Sequence, residues 1–192
     1  GWIKRDDIPA IAKTAEGQGR IVSLTDAQCA LLLEAAIADQ DPDIWLFVLI
    51  GLCTGMRHAE ITAIRWDEID YAQCRIFVPK AKAGSRNQPI PPSLSAALKA
   101  EHDQALDPDG WVFVPRKAKS KCGHRTYMTS SFRRVVIRAN FDRKRVTPHV
   151  MRHTAITKLV KGRIDIPTIM KISGHKTTAM VLRYTHIDSA HI

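Results

Sequence analysis

The chain has 192 residues, 45% of them hydrophobic, which is enough to bury the core of one domain. Its most apolar run, residues 44–53, is too short to cross a bilayer, and the chain shows no basic-then-apolar signal at its start, so we expect a soluble protein. The four cysteines form no closely spaced pair, which indicates neither a disulfide framework nor a zinc site and favours reduced thiols in the cytoplasm.

The net charge of +10 is concentrated in one segment. Residues 116–145 contain eleven Lys or Arg and one acid, and the rest of the chain is balanced. A basic segment of this kind indicates a polyanionic partner such as a nucleic acid, although a solvated charged face would give the same pattern. The DNA-binding residues that we predict from it are Arg116, Lys117, Lys119, Lys121, Arg125, Arg133 and Arg134.

The N-terminal part predicts two helices. Residues 1–22 have no sustained apolar period and are expected to be a linker. Ser23–Ala38 is predicted to be a helix because Thr25 and Gln28 have the capping-box spacing. Asp43 can cap the next helix, which is apolar on nearly all sides and is therefore expected to be central and buried.

A turn at Thr54–Gly55 is predicted to end that second helix. Gly55 can adopt the left-handed conformation that terminates helices. Arg57 then begins a new helix, with Glu60 on the same face, where its carboxylate can hold the guanidinium. Such a pair is usually a surface ion pair, so its position directly after the turn is what indicates function.

The hydrophobic pattern then changes from helical to alternating, which predicts a small antiparallel sheet. Lys80, Lys82 and Arg86 lie at the tip or arms of its hairpin, where a long cation can swing over a ligand. The predicted strands are residues 67–69, 74–79 and 88–91.

The sequence that follows the hairpin again favours helices. Ser93 is expected to cap a helix that runs to Gln104, and residues 130–140 form another. Between them, residues 111–114 are expected to be a short strand or extended run. The predicted fold class is mainly α with a small antiparallel three-stranded sheet, an α+β fold.

The last third of the chain carries the most reactive side chains. His149 and Arg152 lie three residues apart on one helical face, His175 follows a Ser-Gly turn, and Tyr184 lies on the final helix. Together with Arg57 they suit a phosphodiester, because arginines match its oxygens in bidentate geometry and a tyrosine can attack phosphorus. The helices predicted here are residues 149–161, 165–173 and 177–186.

A tyrosine with a pKa near 10 needs a base or dense positive charge to act as a nucleophile. His149, with the two arginines, can supply both. Lys82 can protonate the leaving oxygen, and Lys80 competes for that role. His149 and His153 have the spacing of a zinc pair, but the glutamate of a metalloprotease helix is missing, so no metal is expected.

Four motifs in combination resemble the catalytic domain of the tyrosine recombinases, the phage integrase family. They are TGMRHAEI, TPHVMRHT, SGHK and RYTH, within a similarity that runs from about Ser23 to His186. The resemblance implies that Glu60 is a supporting carboxylate. The catalytic residues that it implies are Arg57, Lys82, His149, Arg152, His175 and Tyr184.

The resemblance also implies a function, which is site-specific recombination or integration of double-stranded DNA through a 3′-phosphotyrosine, with no metal, ATP or other cofactor. Residues 1–22 would then link a DNA-binding domain to a catalytic domain formed by residues 23–192. We expect this catalytic domain to be a monomer alone and the full-length protein to be a tetramer on DNA. Three alternatives stay open: a type IB topoisomerase, a non-catalytic DNA-binding protein and a metal-dependent nuclease.

Overall fold

The protein is described by a computed structural model that covers residues 21–79, 84–116 and 122–185. This part of the chain is mainly helical with one antiparallel sheet, as the sequence predicts. The α-helices are α1 (Asp26–Ile37), α2 (Ile44–Thr54), α3 (His58–Thr62), α4 (Pro92–His102), α5 (Thr129–Arg138), α6 (Pro148–Lys161), α7 (Ile166–Ser173) and α8 (Thr178–Leu182). The strands are β1 (Ile69–Asp70), β2 (Arg75–Val78) and β3 (Arg86–Pro89).

Helix α2 lies at the centre of the core. It packs against α1 and α6, and most of its side chains are buried, including Phe47, Val48 and Ile50. This confirms the interpretation of a helix that is apolar on nearly all sides. No helix within the described residues combines the length and the apolar character needed to cross a membrane.

The start of α1 has the predicted capping box. Thr25 Oγ1 accepts a hydrogen bond from the Gln28 amide at 3.2 Å, and Gln28 Oε1 accepts one from the Thr25 amide at 2.9 Å. Two amides that the helix itself leaves without partners are therefore satisfied. The prediction is confirmed to the residue.

The sheet has the order β1-β2-β3 with antiparallel pairing throughout. Its register pairs Ile76 with Gln88 and Val78 with Arg86. Gln88 is fully buried, and its amide nitrogen lies 3.5 Å from the Thr54 carbonyl oxygen at the end of α2. The hairpin is therefore fixed beside the end of α2, and it places Arg86 there.

Two predicted boundaries upstream and downstream of the sheet are wrong. Residues 66–68 form a short 3-10 helix rather than a strand, because the Glu68 carboxylate accepts the Arg65 amide and closes a tight turn. Helix α4 begins at Pro92, which suits a first helical turn, so Ser93 lies inside the helix and not at its cap.

Two further segments are shorter than predicted. The run at residues 111–114 contributes a single bridge between Trp111 and Arg65. The last helix ends at Leu182, because the Tyr184 amide turns back to the Val181 carbonyl at 2.9 Å instead of continuing an α-helical bond. Tyr184 therefore lies in a turn after α8, where it packs with Ile156 and Ile169 in a small second core.

Candidate active site

Two helices end at glycines whose backbone conformation brings carbonyl groups into one place. Gly55 after α2 and Gly174 after α7 both have a φ of 64°, in the left-handed region. A Cβ atom on Gly174 would lie 3.2 Å from Arg86 Nη1 and 3.4 Å from Arg57 Nη1. Glycine is therefore required both by the turn and by the approach of the arginines.

Arg152 is buried between these two helix ends. Its Nη1 donates to the Gly55 carbonyl at 2.7 Å, and its Nη2 donates to the Ser173 carbonyl at 2.6 Å. The C-terminal ends of helices carry partial negative charge, which stabilises a cation there. Burial, followed by repulsion from Arg57, lowers the pKa of Arg152 to about 10, so the side chain still carries its charge at neutral pH.

Arg57 reaches the same place from the start of α3. Its Nη2 donates to the Gly174 carbonyl at 3.1 Å, and its Nη1 donates to Glu60 Oε1 at 2.9 Å. The predicted contact between Arg57 and Glu60 is therefore present. The Arg57 side chain is 26% exposed, so it can meet a ligand from solvent.

Glu60 also binds Arg86. Arg86 Nη2 donates to Glu60 Oε2 at 2.8 Å and its Nη1 donates to Oε1 at 3.2 Å, a bidentate pair. Burial alone would raise the pKa of Glu60, but the hydrogen bonds from Arg86 and Arg57 lower it to about 2. The sequence predicts Arg86 as a mobile cation of the hairpin, whereas the structure shows it anchored on Glu60.

His175 is buried, and its hydrogen bonds define which ring nitrogen carries the proton. Ser173 Oγ donates to the Ile169 carbonyl at 2.6 Å, so it must accept from His175 Nδ1 at 3.0 Å. Arg152 Nη2 lies 3.1 Å from Nε2 and can only donate. The imidazole is therefore neutral, and this agrees with burial and the charge of Arg152 lowering its pKa to about 4.

Tyr184 is buried, and its hydroxyl contacts His153. The hydroxyl oxygen lies 2.8 Å from His153 Nδ1. Burial raises the pKa of the Tyr184 phenol, against the opposing effect of Arg152 and Arg183. Burial, followed by His149 and Arg152, lowers the pKa of His153 to about 4, so the imidazole is neutral. In the tautomer that carries the proton on Nε2, His153 Nδ1 accepts a hydrogen bond from the Tyr184 hydroxyl.

His153 is the site residue that the sequence analysis missed. It was considered only as half of a zinc pair with His149, although it directly follows Arg152 on α6. Its position directly after the pair of His149 and Arg152 is the signal that could have identified it. Within the described residues, no group of three or more His, Cys, Asp or Glu side chains could bind a metal ion.

His149 and Lys82 are the remaining predicted catalytic residues. His149 is exposed in the first turn of α6. Lys82, and Lys80 which competes with it, lie outside the described residues. The same is true of Lys117, Lys119 and Lys121, three of the predicted DNA-binding residues.

The other predicted DNA-binding residues lie near the acidic turn between α1 and α2. Arg125 Nη2 donates to Asp41 Oδ2 at 2.5 Å and its Nη1 donates to Asp43 Oδ2 at 2.9 Å, while Arg116 Nη2 donates to Asp41 Oδ1 at 2.7 Å. Arg134 donates to Asp39, and Arg133 is exposed. Asp43 occupies the predicted cap position of α2, but its side chain makes no capping bond there and binds arginine instead.

Solved structures of two integrases share this fold. The catalytic domain of bacteriophage HP1 integrase matches 90% of this chain and 91% of its own length, with a TM-score of 0.64 and 24% identity. The Tn1549 transposon integrase, in complex with transposon right end DNA, matches 93% of this chain and 64% of its own length (TM-score 0.76, 21% identity). The fold is that of a tyrosine recombinase catalytic domain.

Residues 22–191 match the phage integrase family profile, and the chain belongs to that family. The tyrosine recombinase XerA of Pyrococcus furiosus is 29% identical over 176 residues, which are 88% of this chain and 59% of that protein. The tyrosine recombinase XerD of Caulobacter vibrioides is 29% identical over 203 residues, which cover 100% of this chain and 66% of that protein. The chain thus spans about three fifths of the length of these curated relatives.

Proposed function

We propose that this domain breaks and rejoins double-stranded DNA at specific sites through a covalent bond between Tyr184 and a 3′ phosphate. The observation that carries the proposal is the convergence of Arg57 and Arg152 on the ends of α2 and α7 beside Tyr184. His175 lies between the arginines and the tyrosine in the chain of contacts. Its Nε2 lies 3.1 Å from Arg152 Nη2, and its ring centroid lies 6.0 Å from that of Tyr184. Cations and a nucleophile are thus present together.

The arginines bind the scissile phosphate through its non-bridging oxygens. Three arginines and one carboxylate meet here, so the group keeps a positive charge for an anion. A phosphorane-like transition state gathers negative charge on the same oxygens, and preorganised donors stabilise it most strongly at that moment. Arg57 and Arg152 therefore assist catalysis as well as binding.

Tyr184 Oη attacks phosphorus and gives its proton to a histidine of the site, while the Oη–P bond forms and the bond from phosphorus to the 5′ oxygen breaks. Lys82 gives the leaving oxygen a proton, which yields a 5′ hydroxyl and a 3′-phosphotyrosine. Attack by a 5′ hydroxyl on this intermediate reverses the step and rejoins the strand. The phosphodiester is conserved throughout, so the exchange needs no ATP.

Recombination between two sites is a property of the whole protein. XerA and XerD, which this chain resembles, are named tyrosine recombinases. We extend the proposal to a full-length protein that recombines or integrates DNA as a tetramer in the cytoplasm, with this domain as its catalytic part. The predicted contacts of Arg116, Arg125, Arg133 and Arg134 with DNA belong to the same proposal.

Covalent capture of DNA tests the proposal. The chain is incubated with a pool of nicked duplexes of randomised sequence, in which the cleaved end diffuses away and traps the intermediate. We expect an adduct that resists detergent, forms in the presence of a chelator and is lost in Tyr184→Phe. Tyr127→Phe is the matched control, because Tyr127 is exposed and lies outside the site, and we expect it to form the adduct normally.

The same experiment, together with an assay on supercoiled plasmid, separates the alternatives. Tight retention of DNA without an adduct would overturn the proposal in favour of a non-catalytic DNA-binding protein. Loss of cleavage on chelation would favour a metal-dependent nuclease. Relaxation of supercoiled plasmid without exchange between defined sites would favour a type IB topoisomerase.

A further inference from the structure

The buried hydroxyl of Tyr184 has a partner that could take its proton. It lies 2.8 Å from His153 Nδ1, and the two rings are tilted with centroids 5.7 Å apart. His153 lies on α6 directly after Arg152, so the residue that would contact the phosphate and the one that contacts the nucleophile share one rigid helix. Their relative position is therefore fixed before DNA binds.

The other two histidines of the site are less suited to accept this proton. Both ring nitrogens of His175 are engaged, since Nδ1 donates to Ser173 and Nε2 accepts from Arg152. His149 is exposed at the first turn of α6, whereas Tyr184 is 6% exposed. The Tyr184 hydroxyl has its hydrogen-bond contact with His153, whose Nδ1 is the acceptor when the imidazole carries its proton on Nε2.

We propose that His153 is the general base of the cleavage step, an inference that rests on the function proposed above. As Tyr184 Oη forms its bond to phosphorus, its proton moves to His153 Nδ1 and the imidazole becomes an imidazolium. In the rejoining step the imidazolium returns that proton to Oη as the bond to phosphorus breaks. His153 touches a reacting atom in both directions.

The charges around His153 make this proton transfer dependent on DNA. His149 and Arg152 on α6, and Arg183 after α8, disfavour an imidazolium at position 153, and the ring of Tyr184 contacts both His153 and neutral His175. A phosphodiester bound by Arg57 and Arg152 adds negative charge to this group. The base therefore becomes effective when the scissile phosphate is bound, and the phenol stays protonated in the free protein.

Two substitutions at one position separate a base from a positioning residue. In His153→Asn, the amide can still accept a hydrogen bond but cannot be protonated at neutral pH. In His153→Phe, the ring is kept but the acceptor is lost. In single-turnover cleavage of the nicked duplex at pH 7, we expect both variants to be slower by about 10²–10³-fold. Their rates should rise about tenfold per pH unit up to the pKa of the phenol, because hydroxide then removes the proton.

The comparison variant is His149→Asn, which we expect to be slower but to keep the pH profile of the wild type. A rate within about threefold of wild type for His153→Asn, when His153→Phe is slow, would assign position 153 a positioning role and overturn the inference. A tenfold rise per pH unit in His149→Asn, rather than in the position-153 variants, would assign the base to His149 and also overturn it. In each of these cases the wild-type Tyr184 adduct still forms, so the proposed function stands; if the wild type forms no adduct, both fall.

A titration gives a second measurement that does not rely on variants of His153. In Tyr184→Phe, which cannot cleave, the pKa of the His153 imidazole is followed by NMR with and without the nicked duplex. We expect bound DNA to raise this pKa by about one pH unit or more, because an anion is added nearby. An unchanged pKa in the DNA complex would contradict the coupling between phosphate and base.

Discussion

Two groups of arginines in this domain are held by different partners. In the active-site group, Arg152 donates to the carbonyls of Gly55 and Ser173, and Arg57 donates to the carbonyl of Gly174 as well as to Glu60. In the second group, which we call the acidic-turn group, arginines pair with the carboxylates of the turn between α1 and α2. Its members are Arg116, Arg125, Arg134, Arg138, Asp39, Asp41 and Asp43.

The difference between the partners determines what each group can do. A main-chain carbonyl orients a guanidinium but brings no full charge, so the arginine stays available for an anion. A carboxylate neutralises the arginine and, when buried, makes the pair costly to separate. The active-site group is therefore built to bind a phosphate. The acidic-turn group connects Arg116, Arg125 and α5 to the turn between α1 and α2, and DNA phosphates that meet its arginines compete with those carboxylates.

The largest loss of activity is expected from substitution of Arg152, which is held by two main-chain carbonyls. Arg152→Lys keeps a positive charge, but an ammonium lacks the planar fork that reaches the Gly55 and Ser173 carbonyls together. We expect the rate of adduct formation in single turnover to fall by about 10²–10³-fold, as for the loss of one preorganised donor. Because the positive charge is conserved in Arg152→Lys, the loss of rate would reflect the lost geometry of the guanidinium.

Arg138→Lys is the matched control in the acidic-turn group, since Arg138 donates to Asp39 and to the Ala35 carbonyl at the surface. The same conservative change there should leave the rate within about twofold of wild type. Equal losses at positions 138 and 152 would remove the distinction between the two groups.

The second prediction concerns the stability of the acidic-turn group. Asp41 is buried and accepts from Arg116, Arg125 and Ser131. Burial would raise its pKa, but Arg125 and Ser131 keep the pKa of this carboxyl below its usual range. We expect Asp41→Asn to lower the free energy of unfolding by about 2 kcal/mol, because the half-buried Arg125 then keeps only Asp43 as a counter-charge.

Urea unfolding followed by circular dichroism measures that loss. Asp67→Asn is the control, because Asp67 pairs with Arg65 at the surface and should cost less than about 1 kcal/mol. The rate of adduct formation by folded Asp41→Asn should stay close to that of the wild type. A stable but inactive Asp41→Asn protein would argue against a structural role for this group.

The third prediction tests the one carboxylate of the active-site group. Glu60→Gln keeps an oxygen for Arg57 but removes the charge that Arg57 and Arg86 share. We expect adduct formation to slow by about 10–100-fold, because both guanidinium groups can then shift relative to the phosphate. Glu34→Gln, at an exposed position on α1, should have no effect on the same assay.

Local signals in the sequence predicted much of this architecture. The capping box of α1, the glycine turns at Gly55 and Gly174, and the contact of Arg57 with Glu60 all involve residues within a few positions of each other. Geometry over such distances follows from helix periodicity and from the conformational freedom of glycine. These features were therefore predicted correctly.

Contacts between distant residues could not be predicted in this way. The bond between His153 and Tyr184 joins residues 31 positions apart, and that between Arg134 and Asp39 joins residues 95 apart. A count of charge along residues 116–145 shows a basic segment, but folding brings acids from the turn between α1 and α2 against it. Charge per segment therefore overstates the positive charge on the surface when the partners lie elsewhere in the chain.

The smallest expected effect is a dependence of stability on pH at Asp39. Hydrogen bonds from Arg134 lower the pKa of Asp39, and burial opposes this effect. A further hydrogen bond from Arg138 also lowers the pKa, which falls from 3.8 to about 2. A carboxyl whose pKa is lower in the folded state stabilises the fold above its unfolded pKa and loses that contribution as pH falls through the folded pKa. Its contribution is about 1 kcal/mol after allowance for the exposed arginines, so the free energy of unfolding of Asp39→Asn should lie below that of wild type by this amount at pH 7. The difference should shrink between pH 4 and pH 2, where Asp39 itself becomes neutral, as measured by urea unfolding at each pH. A difference that stays constant over this range would mean that shape and packing at position 39, and not its charge, connect the acidic turn to Arg134.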